Sequence, residues 1–189
     1  MLQNNQSLKM ITASMALTAS CVAYSGDAYI AASLGFMDYE ETVEVSGFPP
    51  VKFDSSINSL NVRLGKNYTE YFSAEMRLGL GLGDDPVKVD GEEFGANLEM
   101  REMYGVYARG GMQLEERFYP YVIVGYSQAK LEGSVIGFEI DGDFGGVSYG
   151  LGIDVDINND VKGSIEYMSY FDSVGVEVAG FTLGLSKSF

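Results

Sequence analysis

The sequence predicts an all-β chain that closes into an eight-stranded antiparallel up-and-down transmembrane β-barrel. Three observations lead there: apolar residues alternate with small or polar ones in segment after segment, the connections alternate between short and long, and the face opposite the aliphatics carries Gly, Ser and Thr with few charges. Side chains on a strand point alternately to two faces, so a period of two separates a surface for lipid from a crowded interior.

Residues 1–25 read as a secretory signal peptide. Lys9 is the only charge before an apolar run at 10–19, and small residues follow at Ala23 and Ser25. The run is too short to span a bilayer as a helix. Cleavage is expected after Ser25 or after Ala23; Thr18-Ala19-Ser20-Cys21 is faintly similar to a lipoprotein cleavage box, with Thr18 where an aliphatic residue is usual. Residues 26–189 then form one domain, with no Pro-, Ser- or charge-rich linker. The chain's only cysteine, Cys21, lies in the leader, so the mature domain must be stable without disulfides.

The strands follow in order. Segments 28–39 and 56–66 alternate weakly. Segment 72–83 is cleaner, with Phe72, Ala74, Met76, Leu78, Leu80 and Leu82 against Ser73, Glu75, Arg77, Gly79, Gly81 and Gly83. Segments 99–113 and 119–131 come next; the faces of the latter cannot be assigned, because Tyr121-Val122-Ile123-Val124 is apolar on both. Segment 146–157 is the clearest, Val147, Tyr149, Leu151, Ile153, Val155 and Ile157 interleaving with Gly, Ser and Asp. After 161–171, segment 177–189 closes the chain, with Phe181, Leu183, Leu185, Lys187 and Phe189 on one face and Thr182, Gly184, Ser186 and Ser188 on the other. Each has roughly ten residues, the length a tilted strand needs to cross a hydrocarbon core. Short polar links are expected at 67–70, 115–117 and 158–160; longer acidic loops at 40–55, 84–98 and 132–142, with a short last loop near 172–176.

A soluble barrel with an apolar cavity would show the same alternation. Residue size argues against it: a soluble outer face would carry many Lys and Glu, whereas small residues fit the inside of a narrow membrane barrel. Aromatics cluster near strand ends, Tyr68, Tyr71, Phe72, Phe118, Tyr119 and Phe189 on the turn side and Phe36, Tyr39, Phe144, Tyr170 and Phe171 toward the loops, as two interfacial girdles would.

With its leader, its eight alternating segments and the terminal Phe181-x-Leu183-x-Leu185-x-Lys187-x-Phe189, the chain resembles the small outer-membrane barrels of Gram-negative bacteria, the OmpA-like and OmpX-like group, within the porin-family outer-membrane proteins. The resemblance implies an integral outer-membrane location and implies that Phe181, Leu183, Leu185 and Phe189 form the signal read by the barrel-assembly machinery. Lys187 departs from the usual pattern.

Chemistry is sparse. The chain has no histidine, and barrel enzymes of the protease, lipid A deacylase, palmitoyltransferase and phospholipase types resemble one another in using one, so no enzyme is expected. Asp84-Asp85 and Glu92-Glu93 read as solvated loop acids. Asp154-Val155-Asp156-Ile157-Asn158-Asn159-Asp160 lacks the glycine and the bidentate Glu of a calcium loop, so no metal site is expected. No cofactor is expected either. With a net charge of −15 and no basic patch, nucleic acid is not a partner.

Interior charges are more informative. Arg63, Glu75, Arg77, Arg109, Asp154 and Glu166 all lie a few residues from the turn end, so they should meet in one layer, with Tyr107 beside it. Charges in a narrow lumen must be paired, so we expect a salt-bridge plug; a polar lining of a narrow passive channel is the alternative. The outer loops are acidic, and there the expected partners are outer-membrane lipid and lipopolysaccharide, through low-affinity Ca²⁺ or Mg²⁺ bridges, set against the plainer reading of a charged, soluble surface. The function read from the chain is a structural or surface-interaction role. A narrow channel and a loop-mediated adhesin or colonisation factor with an unknown host or surface ligand are the alternatives.

Overall fold

The computed structural model describes residues 27–43, 50–89, 92–135, 138–173 and 176–189. The leader at 1–25, with Cys21, lies outside the described residues, as do Glu44 and Asp90 of the outer connections. The strands are β1 (Ala28–Val43), β2 (Val51–Asn67), β3 (Phe72–Gly81), β4 (Asp84–Val89), β5 (Glu92–Gly111), β6 (Phe118–Val135), β7 (Phe138–Asp156), β8 (Val161–Ser173) and β9 (Val176–Ser188).

Every neighbouring pair is antiparallel, and β1 pairs with both β2 and β9, so the sheet closes on itself. Closure satisfies the backbone groups that an open edge would leave bare in lipid. The ring has eight positions, because β3 and β4 together form the third: both pair with β2 and with β5. The sequence suggested one strand at 72–83. The break falls at Leu82-Gly83, where Gly83 has φ 107°, a conformation open to glycine and strained for other residues. Gly83 is therefore a turn position rather than the interior one its alternation suggested.

The strands also run well beyond the segments read from sequence. Most of 40–55, 84–98 and 132–142 was expected to be loop, yet β1 pairs β2 out to Val43↔Val51 and β6 pairs β7 out to Val135↔Phe138. Acidic residues announce water, not irregular backbone; a hairpin standing in solvent still forms its ladder. The wall is uneven in height, because the β7–β8 ladder stops at Tyr149↔Ser169 while β7 continues beside β6 for eleven more residues, 138–148.

Leu34, Leu60, Met76, Leu80, Val106, Val122, Val124, Leu151, Ile165, Leu183 and Leu185 are exposed on the outer surface, where lipid replaces water as solvent. On β6 the structure assigns the faces that the sequence left open: Tyr121 and Ile123 point inward, Val122 and Val124 outward. Tyr68, Tyr71, Phe72, Phe118 and Phe189 are exposed at the turn end. The other girdle differs from expectation, since Tyr39 and Tyr170 are buried inside the barrel and Phe144 packs against its core. Strand parity explains it: Tyr39 shares the inward face of Met37, while the outward ring is Phe36. Tyr104, Tyr126 and Tyr149 instead stand exposed toward the outer end.

Nor is the interior polar throughout. Its outer half is filled by Met37, Ile57, Met100, Met103, Leu131, Met168, Tyr170 and Val178. Unbranched methionines adapt to irregular space between bulges and glycines, which a small-residue lining would leave void.

Candidate functional site

The charged layer sits below this apolar layer, toward the turns. Arg63 comes from β2, Glu75 and Arg77 from β3, Arg109 from β5, Asp154 from β7 and Glu166 from β8, and the structure brings all six into one buried cluster. Arg77 is its hub. Its Nε donates to Glu75 Oε2 at 2.7 Å and its Nη2 to Glu166 Oε2 at 2.9 Å, so one planar guanidinium spans the lumen between two carboxylates. Arg109 Nη1 donates to Glu75 Oε1 at 2.7 Å and its Nη2 to Asp154 Oδ2 at 2.6 Å. Arg63 is held more loosely: Nη2 donates to Ser164 Oγ at 2.8 Å, and Nη1 lies 3.9 Å from Glu166 Oε2.

Three guanidinium cations face three carboxylates, so the layer is formally neutral, which is the condition for leaving charge in a medium that solvates it poorly. Tyr107 lies beside Arg77, its ring centre 4.6 Å from the guanidinium carbon, and Tyr121 packs even closer under Arg109, at 3.6 Å.

Two hydroxyls complete the carboxylates and were not legible as site residues. Tyr29 donates to Glu75 Oε1 at 2.6 Å and Tyr121 donates to Glu166 Oε2 at 2.9 Å. Each ring stands directly across the ladder from a glycine, Tyr29↔Gly65 and Tyr121↔Gly152, and a Cβ built on either glycine would overlap the ring. The missing side chain lets the ring lie against the wall and aims its hydroxyl at the carboxylate. A search for interior tyrosines opposite glycines would have found both. Gly65→Val is accordingly expected to displace Tyr29 and to cost about 1–3 kcal/mol of stability; a lowered urea midpoint for the refolded barrel checks it.

Above the ions a hydroxyl chain crosses the wall: Tyr107 Oη meets Ser127 Oγ, Ser127 Oγ lies 2.6 Å from Ser148 Oγ, and Ser148 donates to the carbonyl of Tyr170. Tyr170 sits in a bulge of β8, between Ser169 and Phe171. Below the ions a cavity of about 540 Å³ opens at the turn end, with Tyr29, Arg109 and Asp154 among its lining and Tyr119 and Lys162 on its walls.

The acidic outer surface is partly paired. Lys52 lies 2.9 Å from Glu40, Arg101 2.7 Å from Glu132 and Lys130 3.0 Å from Glu102. The hydrogen bond to Glu40 raises the Lys52 ammonium above its usual pKa. Among the described residues no three acidic side chains gather as a cation-binding group. On the outer face of β9, Phe181, Leu183 and Leu185 are exposed, and Phe189 follows them with its backbone N–H on the Ala28 carbonyl at 3.0 Å.

A closed antiparallel ring with an apolar outside and an ion-paired inside defines an integral membrane β-barrel. Residues 10–189 match the model of the outer membrane protein beta-barrel domain, and the chain belongs to that family. Its fold is similar to Ail, the attachment invasion locus protein of Yersinia pestis, solved with the heparin analogue sucrose octasulfate, at 16% identity over 86% of this chain and 99% of that one, TM-score 0.57. It is similar also to Neisserial surface protein A (12% identity, 87% and 98% covered, TM-score 0.58) and to the outer membrane protein OprG of Pseudomonas aeruginosa (12%, 87% and 97%, TM-score 0.56). At these identities the likeness is one of fold. No curated protein matches the chain. Family and fold together support an outer-membrane, multi-pass barrel.

Proposed function

We propose that this barrel is a closed outer-membrane scaffold with a structural or surface-interaction role, not a catalyst, and that its lumen is plugged. The observation that carries the reading is the neutral ion layer centred on Arg77, stacked beneath the apolar layer of Met37, Met100, Met103 and Met168. A solute would have to break charge-assisted bonds in one layer and then displace close-packed side chains in the next. In planar bilayers the refolded protein is expected to give no steady, large conductance; a stable open level would replace the plug with a narrow passive channel.

The outer side supports the surface-interaction part, since the hairpins rise as paired sheet and carry most of the acidic residues. Ail, a protein of similar fold, is by name an attachment protein. Lipopolysaccharide is the expected neighbour of the acidic outer surface, bridged by Ca²⁺ or Mg²⁺, and the barrel-assembly machinery is the expected reader of Phe181, Leu183, Leu185 and Phe189.

A further inference from the structure

We infer that the cavity beneath the ion layer, at the turn end of the lumen, is a binding site for a neutral saccharide, one or two hexose units of a free sugar or of a glycan end, entering from the periplasmic side. The inference goes beyond the closed-scaffold reading and does not depend on whether the lumen conducts.

One wall and the deep end of the cavity are built as a pair. Tyr119 of β6 and Asp154 of β7 stand directly opposite on the ladder and both line the cavity, so ring and carboxylate are neighbours, their Cβ atoms about 5 Å apart. The ring lies against the wall for the reason found at Tyr29 and Tyr121: a Cβ on Gly111 would overlap it. Its hydroxyl donates to the Glu70 carbonyl at 3.2 Å, which pins it to the turn between β2 and β3. A flat aromatic face is thereby presented to the cavity with a carboxylate at its edge. Asp154 is buried, and only its Oδ2 is engaged, by Arg109 at 2.6 Å; among the described residues its Oδ1 accepts no hydrogen bond. Lys162 adds a donor within reach, its Nζ 5.8 Å from the centre of the same ring. Asn67, Gln113 and Ser186 bring amides and a hydroxyl to the remaining walls.

That set of groups fits a sugar. A pyranose has an apolar C–H face that packs on an aromatic ring, and around its edge hydroxyls that both donate and accept, as carboxylate, amide and ammonium groups require. The charges favour a neutral ligand. Arg109 is engaged by Glu75 and Asp154, and Lys162 lies 3.2 Å from Asp156. An anion would have to compete with carboxylates already in place, and a cation would be set against the Arg109 guanidinium. Asp27 and Glu70, the acids at the mouth, are exposed to water, where their fields are screened. Hydroxyls ask no ion to release its partner. The volume, about 540 Å³, lies within the range of ordinary ligand sites, and the ion layer stands above it, so the ligand comes and goes by the turn end.

The test is an NMR titration of the refolded, isotope-labelled barrel in zwitterionic nanodiscs with glucose and with maltose. Saturable shifts confined to amides within 109–113, 119–121, 154–156 and 186–188 are expected, with half-saturation in the millimolar range. Tyr119→Phe keeps the ring and should bind within roughly threefold of the parent; Tyr119→Leu keeps the bulk, loses the flat face and should bind roughly tenfold more weakly or worse. Ser186→Trp fills the cavity from the β9 side and should abolish binding while retaining heat-modifiable mobility. Maltoheptaose separates the sources: affinity equal to that of maltose identifies a glycan end, and much weaker binding a free sugar. Shifts that do not saturate or are scattered over the barrel, unchanged affinity in both Tyr119→Leu and Ser186→Trp, or tighter binding of glucosamine, glucuronate or uridine than of glucose overturns the proposal. The ligand series needs no variant, and conductance reports separately on the plug.

Discussion

Replacing Arg77 with methionine is expected to lower the unfolding free energy by about 3–5 kcal/mol, the usual consequence of removing one member of a buried ion pair. The side chain is nearly isosteric along its stem, so packing loss is small. What remains is the damage: Glu75 keeps Arg109 and Tyr29, but Glu166 keeps only Tyr121 and the distant Arg63. The layer would carry one uncompensated negative charge. Adding Glu166→Gln restores neutrality and is expected to recover more than half of the loss. Urea unfolding of the four proteins of this double-mutant cycle gives the coupling directly. If the two losses simply add, Arg77 and Glu166 are not an energetic unit, and the plug loses its hub.

Deleting Phe189 is expected to separate delivery from stability. Its ring is exposed on the outer surface and its backbone adds one hydrogen bond, from its N–H to Ala28 at the β1–β9 closure, so the refolded barrel should lose on the order of 1 kcal/mol. In cells the loss should be far larger, at least tenfold less heat-modifiable protein in the outer-membrane fraction, if the terminal aromatic is what the assembly machinery reads. Normal membrane levels would remove that role from Phe189 and leave it as an interfacial anchor.

Much of this was legible because strand geometry converts sequence parity into position. Glu75 and Arg77 fall on the inward parity of their strand, and a charge there must find a partner across the lumen. For Tyr39 and Tyr170, parity outweighs proximity to a strand end; counting three from the outward Phe36 places Tyr39 inside. Other features are not local. Whether an acidic stretch such as 132–142 is loop or ladder depends on the strand beside it. The bulge at Tyr170 depends on how β8 leaves β7. The tyrosines at 29 and 121 reach their carboxylates only because a neighbouring strand places glycine opposite, which the chain reveals once the register is known.

The hub at Arg77 also bears on the order of folding. β3 and β8 stand four places apart in a ring of eight, and Arg77 and Glu166 are separated by 89 residues of chain. While the sheet is still unrolled these two side chains are on distant strands, each wet and solvated, and local hairpins can form without them. Only when the last seam shuts do they face one another, so desolvation and neutralisation must coincide with curling. Such a late, long-range step is slow to reach and slow to reverse, which makes the ion layer a latch on the finished ring rather than a guide to building it.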